Sequence, residues 1–192
     1  MRLPSEPVAA SVPARPHCGS SRLVETPAAS PLERFCALLA DAGVEFMVIG
    51  GQAEALMGSA RVTYDVDLCY RRTPENLERL AGVLQTLKLT LRGAPADLKF
   101  RLDAQALALG SNFTFEVDGD YPLDLLAYLE PVGAYDDLLP RSEILEIAGH
   151  RVRVIGLEDL IRIKQHLGRP KDRESLLHLE AIKRLRETEG LR

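Results

Sequence analysis

A short apolar run that ends in two consecutive glycines restricts the fold more than any other feature of this chain. Residues 46–49 are Phe-Met-Val-Ile, and Gly50 and Gly51 follow directly. Such a run, bounded by glycines, predicts a buried strand that passes into a tight turn. Residues 52–57 then suit a short helix. A strand and a helix in such close succession favour a domain in which helices cover a sheet.

The segments around this run alternate between helix and strand patterns. Ser30, Pro31 and Glu33 form a helix-start signal, and the apolar face that follows predicts a helix ending at Gly43. Residues 62–70 alternate as in a strand, with one predicted apolar face made of Val62, Tyr64, Val66, Leu68 and Tyr70. A further helix is predicted to open at Thr73-Pro74-Glu75.

The second half of the chain predicts two hairpins followed by two helices. Residues 113–117 and 123–126 flank a turn at residues 118–120, and residues 144–147 and 152–155 flank Gly149. Helices are expected at 157–167 and 172–186, with Arg169-Pro170 as the break and Asp172 as the N-cap of the second. The predicted fold class is therefore α/β (α+β), a mixed sheet flanked by helices, with C-terminal helices.

The 192 residues support one globular unit with an appendage. Five prolines among Ala and Ser, without hydrophobic periodicity, predict that residues 1–29 form a flexible tail. A core is expected over 30–156 and a helical segment packed on it over 157–192. Residues 32–156 hold 12 basic and 19 acidic residues, so the acidity of the chain is concentrated where a cation can be held.

Composition excludes several classes of protein. A net charge of −4 argues against binding nucleic acid by bulk charge. No apolar run approaches the roughly 20 residues of a membrane span, and the N-terminus lacks the apolar region of a secretory signal, so a cytoplasmic protein without membrane contact is expected. Three cysteines without a C-x-x-C pair argue against a disulfide scaffold and most zinc modules.

Three aspartates are candidates for metal chemistry. Asp65 and Asp67 lie two apart on the predicted strand and therefore face the same side of it, as ligands of a divalent cation require. Asp124 interrupts an apolar strand, which is costly unless the carboxylate is paired or faces a cation. An isolated D-x-D pattern also fits an exposed acidic strand face. Gly50 and Gly51 add backbone amides at a helix start that can approach a phosphate.

At this point the sequence resembles the nucleotidyltransferase superfamily, whose fold is shared with DNA polymerase β. The resemblance rests on Gly50-Gly51, Asp65-Val66-Asp67 and Asp124. Residues 50–68 as a whole, with 157–164 and 168–172, are similar to the bacterial branch that includes toxin-type nucleotidyltransferases of toxin–antitoxin systems. The resemblance covers about residues 32–185.

The resemblance implies an enzyme that transfers a nucleoside monophosphate from a nucleoside triphosphate to an acceptor hydroxyl. It assigns Asp65 and Asp67 as ligands of Mg²⁺ (or Mn²⁺) and Asp124 as the third ligand or base. Gly50 and Gly51 would approach the β- and γ-phosphates. Candidates for further phosphate contacts are Arg61, Lys164, Arg169 and Lys171, each of which is otherwise solvated surface charge. The acceptor is left open among a tRNA end, a protein and a small molecule, and a toxin would imply an antitoxin partner.

Three other classes compete with this interpretation. A haloacid dehalogenase-type phosphatase also uses D-x-D after a strand, but Leu68-Cys69 departs from the residues it expects next. A glycosyltransferase with D-x-D usually has a longer chain. A non-catalytic nucleotidyltransferase-fold module, such as an antitoxin-type partner protein, would have partly lost the motif, whereas all three carboxylates and both glycines are present.

The composition of the tail generates a first prediction. Deleting residues 1–29 should change the melting temperature by less than about 2 °C, because a segment without apolar periodicity contributes little buried surface. Differential scanning fluorimetry of the full and shortened chains measures this. A drop of several degrees would show that the tail packs on the domain.

Overall fold

The computed structural model describes residues 29–95, 102–118 and 121–190. The predicted tail, apart from Ala29, and residues 119–120 of the first predicted hairpin turn lie outside the described residues. The helices are α1 (Pro31–Asp41), α2 (Gly50–Leu56), α3 (Pro74–Leu84), α4 (Ala104–Leu109), α5 (Tyr135–Leu138), α6 (Leu157–Leu167) and α7 (Pro170–Thr188). The strands are β1 (Phe46–Val48), β2 (Val66–Tyr70), β3 (Leu89–Leu91), β4 (Asn112–Val117), β5 (Tyr121–Leu126), β6 (Tyr128–Leu129), β7 (Gly133–Ala134), β8 (Glu143–Ile147) and β9 (His150–Val154).

A mixed sheet organises the described residues, in the strand order β3-β4-β5-β2-β1-β9-β8. The pairs β2–β5 and β1–β9 are parallel, and the other neighbouring pairs are antiparallel. Both predicted hairpins are present, as β4–β5 and β8–β9. The predicted fold class, a mixed sheet flanked by helices, is confirmed.

The start of α1 follows from local sequence. The Ser30 hydroxyl accepts a hydrogen bond from the Glu33 N–H at 3.3 Å, and the Glu33 carboxylate accepts one from the Ser30 N–H at 2.7 Å. Both bonds satisfy amides that have no partner within the helix, and Pro31 provides a first residue without an N–H. The chain leaves the helix at Gly43, which has a φ of +65°.

The predicted strand over residues 62–70 is too long. β2 begins only at Val66, and the side chains of Val62 and Tyr64 are 74% and 75% exposed rather than part of an apolar face. The physical reason is the lack of a partner, since the register of β2 with β1 and β5 runs from Val66 to Tyr70. Alternation alone does not make a strand where no neighbour supplies hydrogen bonds.

The prediction that Asp172 caps the last helix is also wrong. Pro170 occupies the first turn, so the N-cap is Arg169 and Asp172 is the third helical residue. Its carboxylate reaches back to accept a hydrogen bond from the Arg169 N–H at 3.2 Å. The glycine pair differs in a similar way, because Gly50 and Gly51 form the first turn of α2 rather than a separate turn.

Several short elements have no counterpart in the sequence predictions. These are β3 and α4 between α3 and the first hairpin, and β6, β7 and α5 after it. Each is six residues or shorter, so hydrophobic periodicity has too little length to distinguish them from loops.

Buried apolar side chains of the central strands form the core. Met47, Val48, Leu68, Leu123 and Leu125 are at most 1% exposed. Most of the predicted apolar face of α1, including Cys36, packs into the same core, but Leu38 of that face is 41% exposed. Among the helices of the described residues, none combines the length and apolar character needed to cross a membrane.

Asn76, in the first turn of α3, ties that helix to the ends of two strands. Its side chain has no exposed surface. The amide oxygen accepts a hydrogen bond from the Glu45 N–H at 2.7 Å, and the amide nitrogen donates to the backbone oxygens of Glu45 at 2.9 Å and Arg71 at 2.8 Å. Each of these backbone groups adjoins the end of β1 or β2, so one side chain sets how α3 meets the sheet.

Replacing Asn76 with Ala should therefore lower the free energy of unfolding by about 2–4 kcal/mol, because three hydrogen bonds from a fully buried side chain to the backbone are lost. Urea denaturation measures the change. Glu78→Ala, on the exposed side of the same helix, is the control and should change stability by less than about 0.5 kcal/mol. Equal effects of the two substitutions would contradict this account.

Candidate functional site

Two carboxylates lie side by side at the centre of the sheet. Asp67 in β2 and Asp124 in β5 are direct partners in the register of a parallel strand pair. Neighbouring strands are about 4.8 Å apart, and side chains at partnered positions point to the same face. The structure therefore brings together two of the three predicted acidic residues, from segments 57 positions apart in the sequence.

This arrangement raises the pKa of Asp67 to about 6. The largest cause is burial, followed by the negative charge of Asp124, and the charge of Asp65 adds a smaller effect. A hydrogen bond from the Gly51 N–H and the positive charge of Lys164 act in the opposite direction. The Oδ1 atom of Asp124 is buried and has no hydrogen-bond partner in the described structure, which is unfavourable for a polar atom. The pair thus concentrates negative charge that a bound cation would relieve.

The two glycines make room for this site. Gly50 has a φ of +62°, and a Cβ atom there would overlap the Asp67 carboxylate. A Cβ atom on Gly51 would lie 2.9 Å from the Thr63 Cγ2 atom. The loop that carries Thr63 is held in turn by a hydrogen bond from Gln52 Nε2 to the backbone carbonyl oxygen of Thr63 at 3.1 Å. In the structure, the two glycines allow the backbone to approach Asp67 and Thr63 closely. The Gly51 N–H also donates a hydrogen bond to Asp67.

Asp65 is placed differently from the other two acidic residues. It lies in the exposed segment before β2, where no neighbouring strand fixes its direction. In residues 29–95, 102–118 and 121–190, no three His, Cys, Asp or Glu side chains are arranged to hold a metal ion. A three-carboxylate cluster is therefore not preformed, and the ready donors for a hard cation are the oxygens of Asp67 and Asp124.

One cavity of about 290 Å³ is lined by every residue that the sequence and the resemblance nominated. These residues are Gly50, Gly51, Arg61, Asp65, Asp67, Asp124, Lys164, Arg169 and Lys171. The remaining walls are mostly aliphatic and come largely from the end of β5 and from α6. The cavity has carboxylates on the sheet and basic groups on the loop after α2 and on the C-terminal helices.

The basic groups are not isolated surface charges. Arg61 and Lys164 both approach Oε1 of Glu54, a fully buried residue of α2 that sequence reasoning missed, and Arg61 also donates a hydrogen bond to the Ser175 hydroxyl at 2.8 Å. Glu54 lies among Ala53, Ala55 and Leu56 on a short, largely apolar helix. A carboxylate in such surroundings is costly unless it has a partner of opposite charge. That context is the signal from which it could have been found.

Arg169 and Asp172 form a second ion pair at the cavity. The Arg169 Nε atom donates to Asp172 Oδ2 at 2.6 Å, and Nη2 donates to Oδ1 at 3.2 Å. Burial alone would raise the pKa of the Asp172 carboxyl, but the hydrogen bonds and charge of Arg169 outweigh it and hold that pKa below its usual value. Lys171 lines the cavity from the exposed first turn of α7.

Comparison with solved structures identifies the architecture. The lincosamide antibiotic adenylyltransferase LnuA, solved with lincomycin bound, superposes with a TM-score of 0.52 at 14% identity, over 80% of this chain and 98% of that one. An antigenic nucleotidyltransferase-like protein from Paracoccidioides brasiliensis gives a TM-score of 0.50 at 16% identity, over 80% of this chain and 74% of that one. The chain has the nucleotidyltransferase fold.

This result confirms the fold that the resemblance implied. The antibiotic-resistance factor ANT(2'')-Ia is also similar, with a TM-score of 0.49 and 18% identity over 82% of this chain and 88% of that one. No protein-family model matches the chain, and no curated protein matches it in sequence. The nucleotidyltransferase fold is thus retained here at low sequence identity.

The raised pKa of Asp67 generates a prediction with a defined sign. Its folded-state pKa is about 6, against a usual value near 4, so the charged form is disfavoured by folding above pH 6. Asp67→Asn keeps an acceptor oxygen and removes the charge. In EDTA it should stabilise the protein by about 1–2 kcal/mol at pH 8, and this gain should fall below about 0.5 kcal/mol by pH 4, where the folded-state carboxyl is protonated and the unfolded-state carboxyl is about half ionised.

Chemical denaturation of both proteins between pH 4 and pH 8 measures this difference. Glu78→Gln, which removes an exposed carboxylate of α3, is the control and should give no comparable gain at high pH. A neutral or destabilising effect of Asp67→Asn at pH 8 would contradict the raised pKa of Asp67.

Proposed function

We propose that this protein is a metal-dependent nucleotidyltransferase that transfers a nucleoside monophosphate from a nucleoside triphosphate to an acceptor hydroxyl. The observation that carries the proposal is the register of β2 and β5, which sets Asp67 beside Asp124 in a cavity whose other wall is basic. The nucleotidyltransferase fold supports the reaction class.

The carboxylates fit a divalent cation by their chemistry. In the described structure the Oδ1 atom of Asp124 is buried without a hydrogen-bond partner, and burial and the neighbouring negative charge raise the pKa of Asp67. Asp67 and Asp124 would hold Mg²⁺ or Mn²⁺, with Asp65 as a further ligand at the mouth of the site. Such an ion shields the charge of the transferring phosphoryl group and lowers the pKa of a hydroxyl bound to it.

The residues of the chain divide the remaining tasks. Asp124 accepts the proton of the acceptor hydroxyl, whose oxygen then bonds to the α-phosphorus. The bond from that phosphorus to its bridging oxygen breaks, and pyrophosphate leaves. Lys164 and Arg61 line the wall where the departing β- and γ-phosphates are expected, and charge-assisted hydrogen bonds from them would stabilise the leaving group. Arg169 and Lys171 are proposed to add positive charge at the rim.

The acceptor follows less directly from the geometry. LnuA is an antibiotic adenylyltransferase, which makes a hydroxylated small molecule one acceptor class to test here. A tRNA end and a protein are the other two. The toxin–antitoxin role and its antitoxin partner stay predictions of the sequence resemblance. A binding module that has lost turnover is the alternative function.

The decisive experiment follows the fate of the α-phosphate. Wild-type protein is incubated with Mg²⁺ and each ribonucleoside triphosphate, labelled at the α- or the γ-position, with lincomycin, bulk tRNA or the protein itself as acceptor. Transfer of the α-label with release of labelled pyrophosphate from the γ-labelled substrate is expected. Asp124→Asn should reduce the rate by at least about 100-fold, whereas Glu116→Gln, an exposed acid on the adjacent strand β4, should not.

Thermal shift separates binding from turnover. A triphosphate at 100 times its Kd should raise the melting temperature by about 5 °C or more, and only with Mg²⁺ present. Binding without transfer of the α-label would favour the module that has lost turnover. Absence of both a shift and transfer, with all four triphosphates, would overturn the proposed function.

A further inference from the structure

Glu54 is a carboxylate buried beside the cavity. It lies four residues after Gly50 on α2, so the two residues share one face of the helix. The Glu54 side chain has no exposed surface, and within the described structure neither of its oxygens accepts a hydrogen bond. A buried carboxylate is costly unless neighbouring charges compensate it. The negative charge of Glu54 must therefore be compensated by the charged side chains around it.

Two basic side chains provide that compensation from different parts of the chain. The Lys164 ammonium, on α6, forms a close ion pair with Glu54 Oε1. The Arg61 Nη1 atom, from the loop after α2, lies 3.7 Å from the same oxygen. Lys164 is itself only 5% exposed and lies 3.6 Å from Asp172 Oδ1, whose carboxylate also holds Arg169.

These contacts form a chain of alternating charges, in the order Arg61, Glu54, Lys164, Asp172, Arg169. These five residues comprise three bases and two acids, so their net charge is +1. All three bases line the cavity, whereas Glu54 and Asp172 are buried and do not. The acids thus lie behind the bases, as seen from the cavity.

The donor capacity of Lys164 points in the same direction. A lysine ammonium has three N–H donors. The Lys164 nitrogen contacts Glu54 Oε1 closely but lies 3.6 Å from Asp172 Oδ1, which is beyond hydrogen-bond distance. The contact with Glu54 therefore fixes the position of the ammonium and leaves donors for a ligand in the cavity.

We propose that Glu54 is a positioning residue, which fixes Lys164 and Arg61 at the cavity wall for the phosphates of the substrate. The inference rests on the proposed function, because it takes a triphosphate as the ligand of this wall. A purely electrostatic view gives the opposite sign, since removal of a negative charge near an anion site should tighten anion binding. The direction of the change therefore decides between them.

Inorganic tripolyphosphate with Mg²⁺ is the probe, because it carries the phosphates and no base. Isothermal titration calorimetry on the full chain gives its Kd. Glu54→Gln should weaken binding about tenfold. Glu158→Gln is the control, because Glu158 of α6 pairs with Lys183 of α7 at 2.9 Å but lies outside the cavity, and this variant should bind as the wild type does.

A double-mutant cycle distinguishes positioning from a general structural effect. If Glu54 acts by positioning Lys164 and Arg61, the double variant of Glu54→Gln and Lys164→Ala should lose less affinity than the sum of the two single losses. Additive losses, or a Glu54→Gln protein that binds as tightly as wild type or more tightly, would overturn the inference.

Glu54→Asp keeps the charge and withdraws it by one methylene, so it carries the test if Glu54→Gln fails to fold. It should weaken binding about threefold, and wild-type affinity of a folded Glu54→Asp protein would overturn the inference. Failure of the wild type to bind tripolyphosphate would overturn the proposed function and this inference with it. Wild-type binding combined with an unaffected Glu54 variant would overturn this inference alone.

Discussion

Repulsion between two carboxylates on adjacent parallel strands is the constraint on which the rest of the site depends. The register of β2 and β5 sets Asp67 beside Asp124, and burial, which has the larger effect, adds to the cost of the Asp67 charge. The surrounding sequence accommodates this cost without removing it. Gly50 leaves space for the Asp67 carboxylate, and the Gly51 amide donates a hydrogen bond to it. A cation bound at this pair, as proposed above, would offset the cost of the charges.

The basic wall of the cavity, formed by Arg61, Lys164, Arg169 and Lys171, has the converse requirement. It must hold several positive charges close together without a ligand, and each of its bases except the exposed Lys171 contacts a buried acid. Arg61 and Lys164 share Glu54, and Arg169 is held by Asp172. Ion pairs of this kind link the loop after α2 with α6 and α7, so the C-terminal helices contribute to the site as well as to the core. The same contacts that join these helices to α2 also arrange charge around the cavity.

Sequence reasoning was most reliable where a signal is local. The cap of α1 depends on Ser30, Pro31 and Glu33 within four positions, and the predicted helix is present. It failed where a neighbour decides the outcome. Val62 and Tyr64 alternate like strand residues, but no strand lies beside them, and Asp172 has a capping residue type but follows a proline that begins the helix two positions earlier. Glu54 was missed because its partners are more than five positions away in the sequence.

The amino-acid sequence alone reveals the order of the main helices and strands, the glycine pair before a D-x-D pattern and the acid in an apolar strand. These features follow from short-range periodicity, turn chemistry and the cost of a polar residue among apolar ones. Tertiary contacts make Asp124 the strand partner of Asp67, leave Asp65 in the exposed segment before β2, and bring Lys164 to Glu54. The physical reason is that strand register and the packing of α6 and α7 are set by contacts between distant segments, which no local pattern encodes.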